Sequence, residues 1–371
     1  MVIVKKILVV LFAFLLVLNL NIKADAISAK AAVVINGDTG EILFSRNANE
    51  RLPMASTTKI MTALLLCENA DLNETIVTTK EMVTVEGSSM GLQIGDTVSY
   101  HDLLYGMMLA SGNDAANTTA IALSGSVNEF VKLMNNKAQE MGLKDTHFET
   151  PSGLDGNEHY TTAYELALIT KYALQNENFA SAAKAESATL CYGNPPYRRT
   201  LTNHNKLLKA YDDVIGVKTG YTKKSGRCLV SASKKDGKYV IAVTLNDPND
   251  WADHRALLDL GLAALQTVDI TPKQTKIKIP VQNGNENFIE LEISSKRFSL
   301  KETENLRAEV VAPEFVYAPV NKGDKIGKVY YYLSDELILA DDITSPINIK
   351  QTKQNTLGKI TELLKFMLQS I

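Results

Sequence analysis

Residues 54–66 read MASTTKIMTALLL. Ser56 stands three residues before Lys59, and the stretch that follows is almost wholly apolar. A lysine one turn from a serine, at the head of a helix that looks built for a core, has two readings. Either its ammonium reaches water at the helix end, or the pair does chemistry. Residues i and i+3 of a helix share a face, so the two side chains are neighbours. The apolar IMTALLL disfavours the charged amine, and a helix N-terminus favours negative charge developing at Ser56. A serine is a weak nucleophile until a base removes its proton, and a lysine of lowered pKa is such a base.

The pair alone has little specificity. S-x-x-K occurs three times, at Ser56/Lys59, Ser181/Lys184 and Ser231/Lys234. The second falls in an Ala-rich polar helix and the third at a strand end, where a solvated lysine is the natural reading. S-x-N also occurs three times, at Ser45, Ser111 and Ser126, and K-T-G once, at 218–220. Order and setting discriminate. In one set only does S-x-x-K lie on a buried helix, S-x-N at a break between two helices, and K-T-G at the end of an apolar run before a strand pair. Ser111 and Asn113, taken alone, are equally ordinary helix caps. His101, His147, His159, His204 and His254 are tied to no serine by any motif and read as structural.

Outward from this helix, AAVVIN and EILFS, joined by GDTG, read as a hairpin. The reactive helix is expected from about Ser56 to Ala70. HDLLYGMMLA and DAANTTAIALSG read as helices broken at SGN, and VNEFVKLMNNKAQEMG and TTAYELALITKYALQ as two more. A loop-rich region follows, then VIGVKTG and the strands RCLVSAS and KYVIAVTL. HRALLDLGLAALQTV is expected to close the domain as a helix. Strands, then helices, then strands indicate an α+β plan: an antiparallel sheet with adjacent terminal strands and an inserted helical lobe. From about Thr271 the pattern becomes period-two, as in TKIKIPV and NFIELEI, and predicts a small all-β domain. TLGKITELLKFMLQSI then returns to helical spacing. It is too short and too charged to span a bilayer. It fits a membrane-interface helix or one packed on protein.

The start of the chain bounds the compartment. MVIVKK is basic, a 14-residue apolar run follows, and Ala24 and Ala26 are small. This is the layout of a secretory signal peptide cut after Ala26, with an uncleaved anchor as the alternative. The expected organisation is a signal peptide at 1–26, a catalytic domain at 27–268, a β-domain at 269–350 and an amphipathic tail at 351–371. The net charge of −3 gives no basic excess for nucleic acid. Three cysteines without close spacing, Cys67, Cys191 and Cys228, argue against a disulfide framework or a metal site, and no cofactor is expected. Cys67 and Cys228 read as buried small hydrophobes.

Together, ASTTKIMTALL, SGNDAA, SGLDGNEHYTTAYE and GVKTGYT resemble the serine penicillin-recognising enzymes. The closer resemblance, over about 27–371, is to the low-molecular-mass penicillin-binding proteins that are D-alanyl-D-alanine carboxypeptidases. LNDPNDWADHR looks like their sporulation-associated branch. The resemblance implies a β-lactamase/transpeptidase-like domain acting on peptidoglycan pentapeptide outside the cytoplasm. It also implies acylation by β-lactam antibiotics and a tail held at the membrane surface.

By the same resemblance, Ser56 is the nucleophile and Lys59 its base. Ser111 relays a proton toward the leaving D-alanine, and Asn113 holds the substrate amide. Lys218 and Thr219 meet the substrate carboxylate. Gly220 belongs to the same strand, and the backbone N–H groups of Ser56 and Tyr221 form the oxyanion hole. The middle motif is S-G-N rather than S-D-N, which fits a carboxypeptidase better than a class A β-lactamase. Ser152 stands where relatives often have histidine. Arg198, Arg199 and Arg255 are all candidates for a further carboxylate grip. The alternatives are a D,D-endopeptidase and a β-lactamase-type hydrolase.

Overall fold

The computed structural model describes residues 27–352 except 302 and 304. The proposed signal peptide and residues 353–371 of the tail lie outside the described residues. Two compact units divide between Leu265 and Gln266.

In the first unit β1 (Ala31–Asn36) and β2 (Ile42–Arg46) form the hairpin. A 3-10 turn, Ala55–Thr58, leads into α1 (Lys59–Asn69). Next come β3 (Thr75–Val77), β4 (Thr97–Ser99), α2 (Tyr100–Met108), α3 (Asn113–Ser124) and α4 (Val127–Glu140). α5 (Ala163–Ala173) starts at Thr162, whose side chain accepts from Glu165 N, and α6 (Glu177–Lys184) follows. The segment expected to be loop-rich contains the hairpin of β5 (Ser187–Gly193) and β6 (Pro196–Thr202). With β3 and β4 it makes a four-stranded sheet, β3-β4-β5-β6. β7 (Val214–Thr222), β8 (Gly226–Lys235), β9 (Lys238–Leu245) and α7 (Asp250–Ala264) complete the unit.

The main sheet has the order β2-β1-β9-β8-β7, every pair antiparallel, so the first and last segments of the unit lie side by side. Both faces of its centre are covered. Val33, Ile35, Val230, Ile241 and Val243 pack with the helical lobe, while Ala32, Val34, Leu229, Val240 and Ala242 pack with Leu257 and Leu258 of α7. Two-sided burial is why AAVVIN and KYVIAVTL read as continuous apolar runs and not as alternation.

Two expected elements change. α7 was expected over 254–268; it starts at Asp250 and stops at Ala264, with Leu265 extended. Asp250 and Asp253 belong to the first turn, where the helix dipole favours negative charge. Gln266–Val268 instead belong to β10 (Gln266–Ile270), the first strand of the second unit, where Thr267 and Val268 suit a ladder. The reactive segment also differs: Ser56 lies on the 3-10 turn and only Lys59 opens the α-helix.

The second unit is all β. β10 pairs with β13 (Lys296–Leu300). β11 (Lys276–Gln282) lies between β12 (Phe288–Glu292) and β15 (Val316–Tyr317), and β16 (Lys325–Leu333) between β14 (Leu306–Val311) and β17 (Glu336–Thr344). Its own core includes Ile279, Ile289, Leu300, Val329 and Tyr331.

Candidate active site

A 3-10 turn has three residues per turn, so side chains at i and i+3 eclipse. That places Lys59 directly below Ser56: its Nζ lies 3.0 Å from Ser56 Oγ. The amine is wholly buried. It also donates to Asn113 Oδ1 at 2.7 Å and to the Ser152 carbonyl at 2.7 Å. Neither of those oxygens can donate. They take two N–H bonds, and the third position faces a hydroxyl that can give its proton. Burial, with the Lys218 charge nearby, holds the Lys59 amine well below the ordinary lysine range, against an opposing pull from Asp114.

Asn113 is held at both ends of its side chain, since Nδ2 donates to Glu86 O at 2.6 Å. Ser111 precedes it with φ +56°, a left-handed conformation that non-glycine residues rarely adopt. Its hydroxyl accepts from Lys218 Nζ at 3.1 Å, and that amine also donates to Thr219 O at 2.9 Å. Lys218 is buried, and burial lowers its pKa to about 7. SGN therefore stands between two buried lysines, one on each side.

Backbone contacts seat the nucleophile. A Cβ on Gly220 would lie 3.0 Å from Ser56 N and 3.1 Å from Met54 O, so β7 passes close against the turn. Thr219 is half-buried and the Tyr221 side chain is exposed. On the other side Gly153, φ +86°, packs on Ala55, itself at φ +48°. Thr62 Oγ1 donates to Pro151 O at 2.6 Å, so residues 151–153 are stitched along α1.

The structure therefore joins Ser56, Lys59 and Asn113 in one network, Ser111 and Lys218 in a second, and packs Gly220 on the nucleophile's backbone. Sequence reasoning missed the Ser152 carbonyl, because a main-chain acceptor has no residue signature. The Ser152 side chain is buried without a hydrogen-bond partner among the described residues. His159 was read as structural, and it supports the turn. Its Nδ1 accepts from Glu149 N at 2.9 Å, so Nε2 carries the proton and donates to Thr58 Oγ1 at 2.8 Å. Thr58 in turn donates to Ala55 O at 2.8 Å. Burial lowers the His159 pKa to about 4, so the ring is neutral. Asp114 was also missed. Its carboxylate takes N–H bonds from Met90, Gly91 and Leu92 and the Ser89 hydroxyl, fixing the loop that carries Glu86.

Arg255 is held by Asp213 and Asp259, and Arg199 is stacked between Tyr192 and Tyr197 with bonds to Met90 O and Gly91 O. Arg198 is exposed on β6, opposite Cys191. Cys67 and Cys228 are pushed by burial to about 12 and about 11, far from thiolate chemistry.

Comparison with known proteins identifies the family. The sequence profile described as D-alanyl-D-alanine carboxypeptidase matches residues 19–249, and that of the penicillin-binding protein 5 C-terminal domain matches 265–354. The chain is 35% identical over 352 residues to the D-alanyl-D-alanine carboxypeptidase DacF of Bacillus subtilis, covering 91% of this chain and 89% of that one. Identity to the D-alanyl-D-alanine carboxypeptidase of a Streptomyces species is 34% over 256 residues, covering 64% and 88%. Among solved structures, penicillin-binding protein 5 of Haemophilus influenzae superposes with a TM-score of 0.64 at 26% identity, covering 88% of this chain and 98% of that one. The Streptomyces K15 DD-transpeptidase does so at 0.61 and 32%, covering 64% and 98%. With the serine–lysine pair, the SGN turn and the KTG strand in one site, the chain belongs to the D-alanyl-D-alanine carboxypeptidase family of serine peptidases.

Proposed function

We propose that this protein is a serine D-Ala-D-Ala carboxypeptidase that removes the terminal D-alanine from peptidoglycan stem peptides through an acyl-enzyme on Ser56. The observation that carries the reading is the set of partners around Lys59. Two acceptor-only oxygens and one hydroxyl leave Ser56 as the group able to give a proton to the neutral amine. Proton transfer to Lys59 frees Ser56 Oγ to attack the carbonyl of the penultimate D-alanine. The backbone N–H groups of Ser56 and Tyr221 receive the oxyanion. Collapse breaks the peptide bond, and the proton that Lys59 took from Ser56 passes by way of the Ser111 hydroxyl to the departing D-alanine nitrogen, returning Lys59 to its neutral form while Lys218 holds Ser111 in place. Lys218 and Thr219 hold the substrate carboxylate, and Asn113 the substrate amide. Water then hydrolyses the ester and restores Ser56. Penicillin offers a similar acyl group and leaves a slow ester on the same oxygen.

Incubation with diacetyl-Lys-D-Ala-D-Ala should release D-alanine, and Ser56→Ala should reduce release by roughly 10⁴-fold or more and abolish labelling by fluorescent penicillin. Release by Ser56→Ala at the wild-type rate would overturn the assignment. Rapid loss of the penicilloyl label would favour the β-lactamase alternative. Cleavage of cross-linked dimers without D-alanine release would favour the endopeptidase.

The expected placement is outside the cytoplasm, with the tail at 351–371 on the membrane surface. Among the described residues no helix is long and apolar enough to cross a membrane. The spacing of Leu357, Ile360, Leu364, Met367 and Ile371 supports a tail lying in the interface. Deleting 356–371 should move the protein from the membrane to the soluble fraction; unchanged partitioning would support a packed helix instead.

A further inference from the structure

Where β9 leaves the main sheet and α7 begins, three aspartates turn inward. Asp247 is 0% exposed, and Asp250 and Asp253 are each 4% exposed. Asp250 has a cation, Arg227 at 2.9 Å. Asp247 and Asp253 form no ion pair among the described residues. The nearby cations are engaged elsewhere: Arg46 donates to Ile27 O, and Lys30 pairs with Glu50. Two buried carboxylates without a counter-charge are costly. Burial, with Asp253 beside it and hydrogen-bonded to it, pushes the Asp247 carboxyl up to about 6, against the pull of Ser28 and Thr244.

What does reach them is the start of the described chain. Ser28 N donates to Asp253 Oδ2 at 2.6 Å. Its hydroxyl lies 2.8 Å from both that oxygen and Asp247 Oδ1, though one hydroxyl proton serves one acceptor at a time. Asn249 N also donates to Asp247 Oδ1 at 3.1 Å. Asp247 Oδ2 is buried and receives no hydrogen bond among the described residues. The preceding residue, Ile27, is 3% exposed and packs with Leu257 and Leu258. Its nitrogen follows Ala24-Asp25-Ala26, the small-residue pattern at which leaders are cut.

We infer that Asp247 and Asp253 are the receptor for the α-ammonium of Ile27, so that removal of the leader completes an ion pair joining the start of the mature chain to the start of α7. This goes beyond the catalytic reading and rests on cleavage after Ala26. Hydrolysis by the exporting cell's leader peptidase breaks the Ala26–Ile27 amide. Water supplies the oxygen of the new Ala26 carboxylate, and the Ile27 nitrogen takes up protons to become an ammonium. An amide nitrogen offers one N–H and no charge, whereas an ammonium offers three N–H donors and a positive charge. That matches one orphaned oxygen and a carboxyl pair with no counter-cation among the described residues. The uncut chain lacks this pair, so the fold gains its full stability only after export.

The test compares the secreted protein with a chain that keeps one extra residue, Ala26, each with and without Asp247→Asn. Intact mass should place the secreted start at Ile27; another start overturns the inference. The extra alanine should lower the unfolding temperature by more than about 5 °C. Asp247→Asn should lower that of the 27–371 chain comparably and that of the extended chain hardly further, the signature of coupled groups. The Ile27 α-amine should resist an amine-reactive ester at pH 8 in the folded protein and react in urea. Equal unfolding temperatures for the two chains, or an α-amine that reacts freely when folded, overturn it. Penicillin acylation is measured in parallel; if it is intact while the ion pair fails, the catalytic reading stands.

Discussion

At Lys59 a residue that ordinarily carries a charge in water is enclosed and partnered so that its neutral form is favoured. The sign of its pH effect follows. The folded pKa is depressed, so the amine becomes a base as pH rises through that depressed value and is lost as a base when pH falls through it. Lys218, lowered to about 7, must be charged to meet a carboxylate in the proposed mechanism, which gives the opposite limb. Penicillin acylation should therefore be bell-shaped in pH. Lys218→Arg, whose guanidinium does not titrate in this range, should remove the falling limb while lowering the rate. Stopped-flow acylation from pH 5 to 10 checks both. A rate that rises only through the ordinary lysine range near 10.4 would sink the assignment of a depressed Lys59 as base.

At the scale of elements, the site is an edge strand, a 3-10 turn and a loop pressed together through their backbones. Gly153 is the tightest contact. An added Cβ would lie 1.9 Å from Ala55 O, and the residue's φ of +86° is unfavourable for any side chain. Neither a carbonyl nor the backbone of Ala55 can withdraw without moving Ser56. Gly153→Ala should cost about 2–4 kcal/mol of stability and slow acylation at least tenfold. Urea unfolding and fluorescent-penicillin labelling measure the two effects, and a variant that keeps both wild-type values would refute this account of the turn. Much of this element-level detail was hidden in the sequence. The β5–β6 hairpin, partly exposed and rich in polar residues, carries weak alternation and reads as loop. The boundary between α7 and β10 was blurred because Leu265, Thr267 and Val268 fit either element until pairing with β13 is known.

For the whole molecule, burial of neutral histidines sets acid stability. His254 lies inside the sheet–helix layer of the first unit, between Ser231 Oγ at 2.5 Å and Thr244 Oγ1 at 2.9 Å, with its pKa lowered to about 3 by burial. Its folded pKa is below the unfolded value of about 6.5. The stability it contributes is full above that value and is lost as pH falls toward 3. By pH 5 the loss is on the order of 2 kcal/mol for this residue. Denaturant midpoints at pH 7 and pH 5 should differ accordingly, and His254→Gln should flatten the difference. An unchanged pH dependence in that variant would show that the ring's ionisation is not the cause.

What the sequence determined by itself was the plan and the chemistry. The apolar runs required a sheet covered on both faces, the 3.6-residue periods required an inserted helical lobe, and the period-two texture marked a second, all-β unit. Order and setting picked Ser56, Lys59, Ser111, Asn113 and Lys218 from repeated short motifs, because side-chain type and spacing are local properties. Only the tertiary structure decided that Ser152 contributes a carbonyl and His159 a hydrogen bond to the turn, and that Asp247 and Asp253 both meet Ser28. Main-chain acceptors and buried counter-charges are properties of packing between segments far apart in the chain, and no local pattern of residues encodes them.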